Sequence, residues 1–203
     1  MFKLLKPISV AALIATAAPL AAQDTETATE DTQAPATADQ LLDLGEPVAA
    51  GPRLGERYSK EKHGDWDLAC IKTEAEVDPC SLLQIMTDDN GNPMAEFSLF
   101  RLAEGGQAVA GATVVVPLET LLPAQLTISV DGAPGKRYNY TFCSNIGCVA
   151  QIGFTEADVT AFKQGGSAKI TLRPAPAPEQ VVELDLSLKG FTAGFDIVDV
   201  VSQ

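Results

Sequence analysis

Four cysteines, Cys70, Cys80, Cys143 and Cys148, are the residues of this chain best suited to covalent or metal chemistry. A tetrahedral zinc site usually spaces its thiolate pairs about two to four residues apart, and only the second pair fits that. A redox pair of the Cys-x-x-Cys kind needs two intervening residues, and neither pair has that spacing. An even number of cysteines in an exported chain is ordinarily oxidised to disulfides. Four cysteines allow three pairings; we expect Cys70 with Cys80 and Cys143 with Cys148. Each pair closes a short loop, the first containing Asp78-Pro79 and the second the turn Cys-Ser-Asn-Ile-Gly-Cys. A bridge across so short a loop contributes roughly 2 to 3 kcal/mol in the chain-entropy account.

Catalytic groupings are sparse. His63 is the single histidine, so any triad would depend on it; next to Gly64 and Asp65 at the mouth of a strand it is expected to be solvated. No Gly-x-Ser-x-Gly elbow, phosphate-binding glycine loop or His-Glu-x-x-His pattern occurs. Asp88-Asp89 lies in a turn signal, and Asp65 and Asp67 flank Trp66 on the expected outward face, where they are solvated charges. We therefore expect no enzyme, no cofactor and no metal centre. The aromatics Trp66, Phe97, Tyr140, Phe142, Phe191 and Phe195 are expected at alternating strand positions, packed in a core.

The elements that hold these residues begin after an export signal. Lys3 and Lys6 precede an apolar run from Ile8 to Ala18, and small residues follow at Ala21 and Ala22, so residues 1–22 read as a signal peptide cleaved after Ala22. The run is shorter than the roughly 20 residues a membrane span requires, and no cysteine follows it to accept a lipid. Residues 23–50 carry seven carboxylates and no base, too little apolar surface to offset ordering, and read as a disordered acidic tether. Residues 51–203 remain as one domain, an ordinary size of about 150 residues. The chain has 14 basic and 27 acidic residues, a net charge of −13. A surface of that sign repels phosphate backbones, so nucleic acid is excluded as a partner.

Turn signals recur through the domain at Asp89-Asn90-Gly91-Asn92, Glu104-Gly105-Gly106, Asp131-Gly132, Gly165-Gly166 and Pro174 to Pro178. Between them, 66–70, 81–86, 96–102, 127–130 and 181–188 show the two-residue alternation of half-buried antiparallel strands. One short helix is expected over 155–163, with Thr155 as its cap, Glu156 and Asp158 at its positive end and Gly165-Gly166 as its stop. The fold class is all-β: a sandwich of two sheets, or a flattened barrel, with one short helix and two local disulfides.

The stretches Gly64 to Cys70 (GDWDLAC) with Cys80, 114–132 (VVVPLETLLPAQLTISVDG), 140–150 (YTFCSNIGCVA), 162–166 (FKQGG) and 186–198 (LSLKGFTAGFDIV) resemble, in order and spacing, the invasion-associated locus B proteins of alphaproteobacteria. The resemblance implies an exported sandwich of immunoglobulin-like outline, in the periplasm or associated with the outer membrane, with founding members tied to host-cell invasion. It supplies no catalytic residues, and the acidic tether has no counterpart in it. Its motif residues read as architecture: Trp66 in a strand, Pro117 bracketing a Leu-rich crossing with Pro123, Asp131, Gly132 and Gly147 in turns, and Lys189, Gly190 and Phe191 as a bulge between strand halves. From these features we expect a non-enzymatic envelope protein without a cofactor that engages a protein partner, or alternatively a periplasmic small-ligand carrier. Peripheral outer-membrane association is compatible with either, and the oligomeric state is left open. Intact-mass analysis of the exported protein is expected to give a chain beginning at Gln23 with both bridges formed, and peptide mapping to return the two local pairs; free thiols would reopen the zinc and redox readings.

Overall fold

A computed structural model describes residues 43, 45–48, 51–103 and 106–202. The signal segment and most of the tether, with Glu104 and Gly105 of one turn signal, lie outside the described residues. The chain divides into two units, residues 1–48 and 49–203, and the second contains every element described below.

Twelve strands form two sheets. β1 (Arg57–His63), β2 (Trp66–Ile71), β3 (Cys80–Thr87), β4 (Pro93–Leu102) and β5 (Ala110–Val116) make an antiparallel meander. β9 (Gly147–Phe154) adds to β5, and β8 (Phe142–Ser144) closes that side of the larger sheet as an edge. The smaller sheet runs in the order β11 (Val182–Ser187), β10 (Ser167–Leu172), β6 (Leu126–Val130), β7 (Lys136–Tyr138). A two-residue strand, β12 (Val200–Val201), pairs in parallel with Arg101 and Leu102 of β4. The architecture is the two-sheet sandwich; β1 and β8 stay unpaired with each other, so the flattened barrel is not formed.

The alternation of the sequence decides which side chains face inward. Leu82, Gln84 and Met86 of β3, Ala95, Phe97 and Leu99 of β4, Ala110, Ala112, Val114 and Val116 of β5, and Cys148, Ala150, Ile152 and Phe154 of β9 are all buried. They meet Leu126, Ile128, Ala168, Ile170, Leu172, Leu184 and Leu186 from the smaller sheet in one core. The expected helix is present as α1 (Glu156–Gln164), with a capping box in which the Thr155 hydroxyl accepts from the Asp158 N–H and the Asp158 carboxylate accepts from the Thr155 N–H.

A second helix, α2 (Phe191–Ile197), corrects the reading of this segment as strand. Phe191, Gly194, Phe195 and Val198 are buried, an i, i+3, i+4, i+7 pattern. Lys189-Gly190-Phe191 is thus the joint between β11 and α2 rather than a bulge, with Gly190 at φ +89°. The same helix takes Phe191 and Phe195 off the strand positions expected for them. Phe142 is corrected too: it stands on an edge strand and is half exposed.

The two helices bring their phenyl rings into the end of the sandwich. Trp66 and Phe97 (5.8 Å between centroids), Phe97 and Phe162 (6.2 Å), Phe162 and Phe191 (5.3 Å), and Phe191 and Trp66 (5.4 Å) form a closed cycle. Three of these four contacts are edge-on, the arrangement aromatic quadrupoles favour. Phe162→Ala is expected to lower unfolding free energy by about 3 to 5 kcal/mol in chemical denaturation. Phe142→Ala, on the exposed edge, is expected to stay within about 0.5 kcal/mol of the parent.

Candidate functional site

Both disulfides join residues that are direct register partners: Cys70 with Cys80 across β2 and β3, and Cys143 with Cys148 across β8 and β9. The loop held by the first contains Asp78, whose carboxylate accepts hydrogen bonds from the Thr73 N–H (2.8 Å), the Thr73 hydroxyl (3.1 Å), Lys72 Nζ (3.1 Å) and the Tyr58 hydroxyl (2.8 Å). The Thr73 amide above all, with these other donors, holds the Asp78 carboxyl well below the usual carboxylate range. The second disulfide ties the edge hairpin, in which Gly147 has φ +134° and a Cβ would strike the Val116 carbonyl.

The remaining motif residues separate into four places. Trp66 is fully buried, and its indole N–H donates to the Ser187 carbonyl at 2.9 Å. Asp131 and Gly132 make the β6–β7 turn with both φ angles positive, and the Asp131 carboxylate accepts from the Gly166 and Ser167 amides at 3.0 Å, which lowers its pKa. Pro117 follows β5 at the start of the crossing to the smaller sheet. Lys189 and Gly190 lie against Gly64: the Asp65 N–H donates to the Lys189 carbonyl (3.1 Å), and a Cβ on Gly190 would collide with the His63 carbonyl. His63 is not solvated as expected; its side chain is 14 % exposed, because this crossing of chains covers it, and its Nε2 lies 3.4 Å from Glu61.

Gln84, outside the motif stretches, and Ser187, within the last of them, complete the junction. Gln84 is buried at an inward position of β3, donates from Nε2 to the Ser187 carbonyl (3.0 Å) and accepts at Oε1 from the Ser187 N–H (2.8 Å). The Ser187 hydroxyl donates to Asp65 at 2.6 Å. The Ser187 proton therefore points to a carboxylate, and His63 faces Glu61; the arrangement fastens one sheet to the other. A polar residue between Leu82 and Met86 is the signal in the sequence that would have found Gln84.

A second feature lies on the opposite face of the larger sheet. Ile85, Pro93, Met94, Val115, Pro117 and Ile146 line a groove of about 480 Å³. At its flank Arg57 pairs with Glu96 at 2.7 Å, and that hydrogen bond raises the guanidinium pKa. Ile85 is in register with Glu96, Glu96 with Val115, Val115 with Val149, and Val149 with Phe142. The row places Ile85, Val115 and Phe142 on one face of the sheet, interrupted by Glu96 and by the buried Val149; Ile85, Phe142 and the turn residue Ile146 are 51 %, 50 % and 69 % exposed. The sequence carries its signal in the apolar run of β3, where Leu83 and Ile85 put apolar side chains on the outward face as well.

The family model described as Invasion associated locus B (IalB) protein matches residues 66–199, a span holding both disulfides, the Gln84–Ser187 junction and most of the groove. The chain belongs to the invasion associated locus B family. Two curated relatives, invasion protein B homologs of Brucella abortus (strain 2308) and of Brucella abortus biovar 1 (strain 9-941), are each 24 % identical over 149 residues, covering 73 % of this chain and 84 % of the relative. The crystal structure of invasion associated protein B from Bartonella henselae matches with a TM-score of 0.56 and 24 % identity, over 66 % of this chain and 89 % of that one. This likeness is one of fold. Among the described residues no helix is long and apolar enough to cross a membrane, and the two disulfides of this IalB-family chain fit an extracytoplasmic protein.

Because Asp78 has a lowered folded-state pKa, its hydrogen bonds contribute stability above the unfolded carboxylate value of about 3.9 and lose it as pH falls below that toward the folded value. Asp78→Asn is expected to be less stable than the parent at neutral pH in denaturant titrations. The gap is expected to narrow progressively below about pH 4; a gap independent of pH would contradict this role.

Proposed function

We propose that the protein is an exported, non-enzymatic component of the cell envelope, acting in the periplasm or at the outer membrane, and that it binds a protein partner through the outer face of its larger sheet. The observation that carries this reading is the groove lined by Ile85, Met94, Val115 and Ile146, on the same face of the sheet as the half-exposed Phe142 of edge strand β8. An extended segment of a partner suits such a surface: apolar side chains fill the groove while main chain pairs along the neighbouring edge. The Arg57–Glu96 pair at the flank offers polar contacts of both signs, the usual rim of an apolar binding patch. The relatives are named for invasion, which makes a host-facing or host-stimulated partner a natural candidate.

A small-ligand carrier that holds its ligand between the sheets is disfavoured by the packing. Trp66, Phe97, Phe154, Phe162 and Phe191 fill the space between the sheets. The recess at its rim, bounded by Ile128, Tyr138, Phe154 and Phe162, holds about 110 Å³, small against the roughly 300 to 1,000 Å³ of ordinary ligand pockets.

The test is photo-crosslinking in the native host from a probe placed at Ile146, with Ile85→Asp as the disruptive variant. One or more envelope proteins are expected to be captured, and Ile85→Asp is expected to weaken capture about tenfold or more, as loss of an interface anchor does. A probe at Lys60, on the far edge strand, is expected to capture none of them. Failure to retrieve any envelope protein, or capture indifferent to Ile85→Asp, would remove the reading.

A further inference from the structure

We propose that a recess on the outer face of the smaller sheet, distinct from the groove, binds a phosphate-type oxyanion. The recess holds about 290 Å³ and is lined by Gln125, Thr127, Arg137, Thr171 and Arg173. Thr171 is in register with Thr127, and Thr127 with Arg137, so the three stand in one row across β10, β6 and β7. Register partners on one face place their Cβ atoms about 5 Å apart, which brings two hydroxyls and a guanidinium within the compass of a single tetrahedral anion. Arg173, two residues beyond Thr171, adds a second guanidinium. Its Nη1 donates to the Pro178 carbonyl at 2.9 Å, which anchors the group at the recess.

The charges at this place are uncompensated. Among the described residues, neither Arg137 nor Arg173 has a carboxylate within ion-pair distance, whereas Lys72, Lys136, Lys163 and Lys169 each do. Glu183, the register partner of Thr171 on its other side, is engaged by Lys169 at 3.1 Å. In a chain of net charge −13, two guanidiniums lining one recess without an ion-pair partner among the described residues is the opposite of what composition alone would place there. Guanidinium groups match phosphate oxygens with paired hydrogen bonds, and threonine hydroxyls supply further donors.

Backbone strain marks the same spot. Gln125 sits at φ 61°, ψ 158°, a region almost reserved for glycine, and such conformations persist in side-chain-bearing residues chiefly at functional sites. Its side chain is held by donation from Nε2 to Asn139 Oδ1 at 2.8 Å. Glu119, earlier in the crossing that leads into the recess, is also at positive φ, 66°. The crossing from Pro117 to Gln125 is thus a built loop whose strained end lines the recess.

The experiment is titration of the full exported chain with inorganic phosphate, followed by amide chemical shifts. Shifts are expected to concentrate at Gln125, Thr127, Thr171 and Arg173 and to weaken with added chloride. Arg137→Ala, at an exposed position, is expected to leave the thermal midpoint in place and lower phosphate affinity about tenfold or more, with Arg137→Lys intermediate; Thr171→Val provides a second, independent variant. Flotation with phosphatidylcholine vesicles containing phosphatidic acid separates the sources: retention lost in Arg137→Ala assigns a lipid headgroup, and phosphate binding without retention assigns the free anion. No phosphate binding and no Arg137-dependent retention, or an Arg137→Ala variant that titrates like the parent, would overturn the proposal.

Discussion

The Ser187 peptide is the point at which the two sheets are fastened by polar chemistry. Its N–H and C=O are both taken up by the Gln84 amide, and the indole of Trp66 donates to the same carbonyl. Gln84 and Trp66 are buried, so each of these donors and acceptors would cost about 1 to 3 kcal/mol if left without its partner. That requirement fixes the end of β11 over β2 and β3 to within hydrogen-bond tolerance. The close backbone approach beside it, Gly64 against Lys189 and Gly190 against His63, leaves no room for a Cβ on either glycine. From this joint the chain turns directly into α2, which delivers Phe191 to Trp66 and closes the aromatic cycle.

The apolar core follows from patterning, and it was legible in the sequence for that reason. Period-two alternation in β2, β3, β4, β6 and β11 is a local property, and the turn residues between strands are local as well. Pairing of Cys70 with Cys80 and of Cys143 with Cys148 could be expected because each closes a hairpin already implied by those turns. The α1 cap at Thr155 was legible on the same grounds. What the sequence concealed depends on distant partners. Phe191 to Ile197 looks like the second half of a strand after the alternating Val181 to Leu188; it coils because Trp66 and Phe162, far away in the chain, accept its aromatic face. His63 looks like a solvated loop residue until Lys189 and Gly190 are laid across it.

The outer surfaces were the least legible part, since alternation tells inside from outside but not what an outside is for. Edge strand β1 carries Lys60 and Lys62 and so resists pairing with another chain. The other edge of the same sheet has Phe142 half exposed on a three-residue strand stapled by a disulfide. The difference between the edges is one of protection, and the apolar groove between them is bounded by Arg57 of the first and by Ile146 of the hairpin that carries the second.

Rigidity connects these surfaces to the core. Val115 lines the groove, while its neighbours in β5, Val114 and Val116, are fully or almost fully buried. The groove floor therefore cannot shift without disturbing the packing around Phe97 and Phe154. The edge hairpin is held in the same way, by Cys148 in the core and by Gly147 pressed against the Val116 carbonyl. A surface anchored like this loses little freedom when something docks on it, so less of the contact energy is spent on ordering. The same constraint that makes the sandwich stable, a core filled with interlocked rings, moves recognition outward onto the strand faces, the edges and the loops that cross between them.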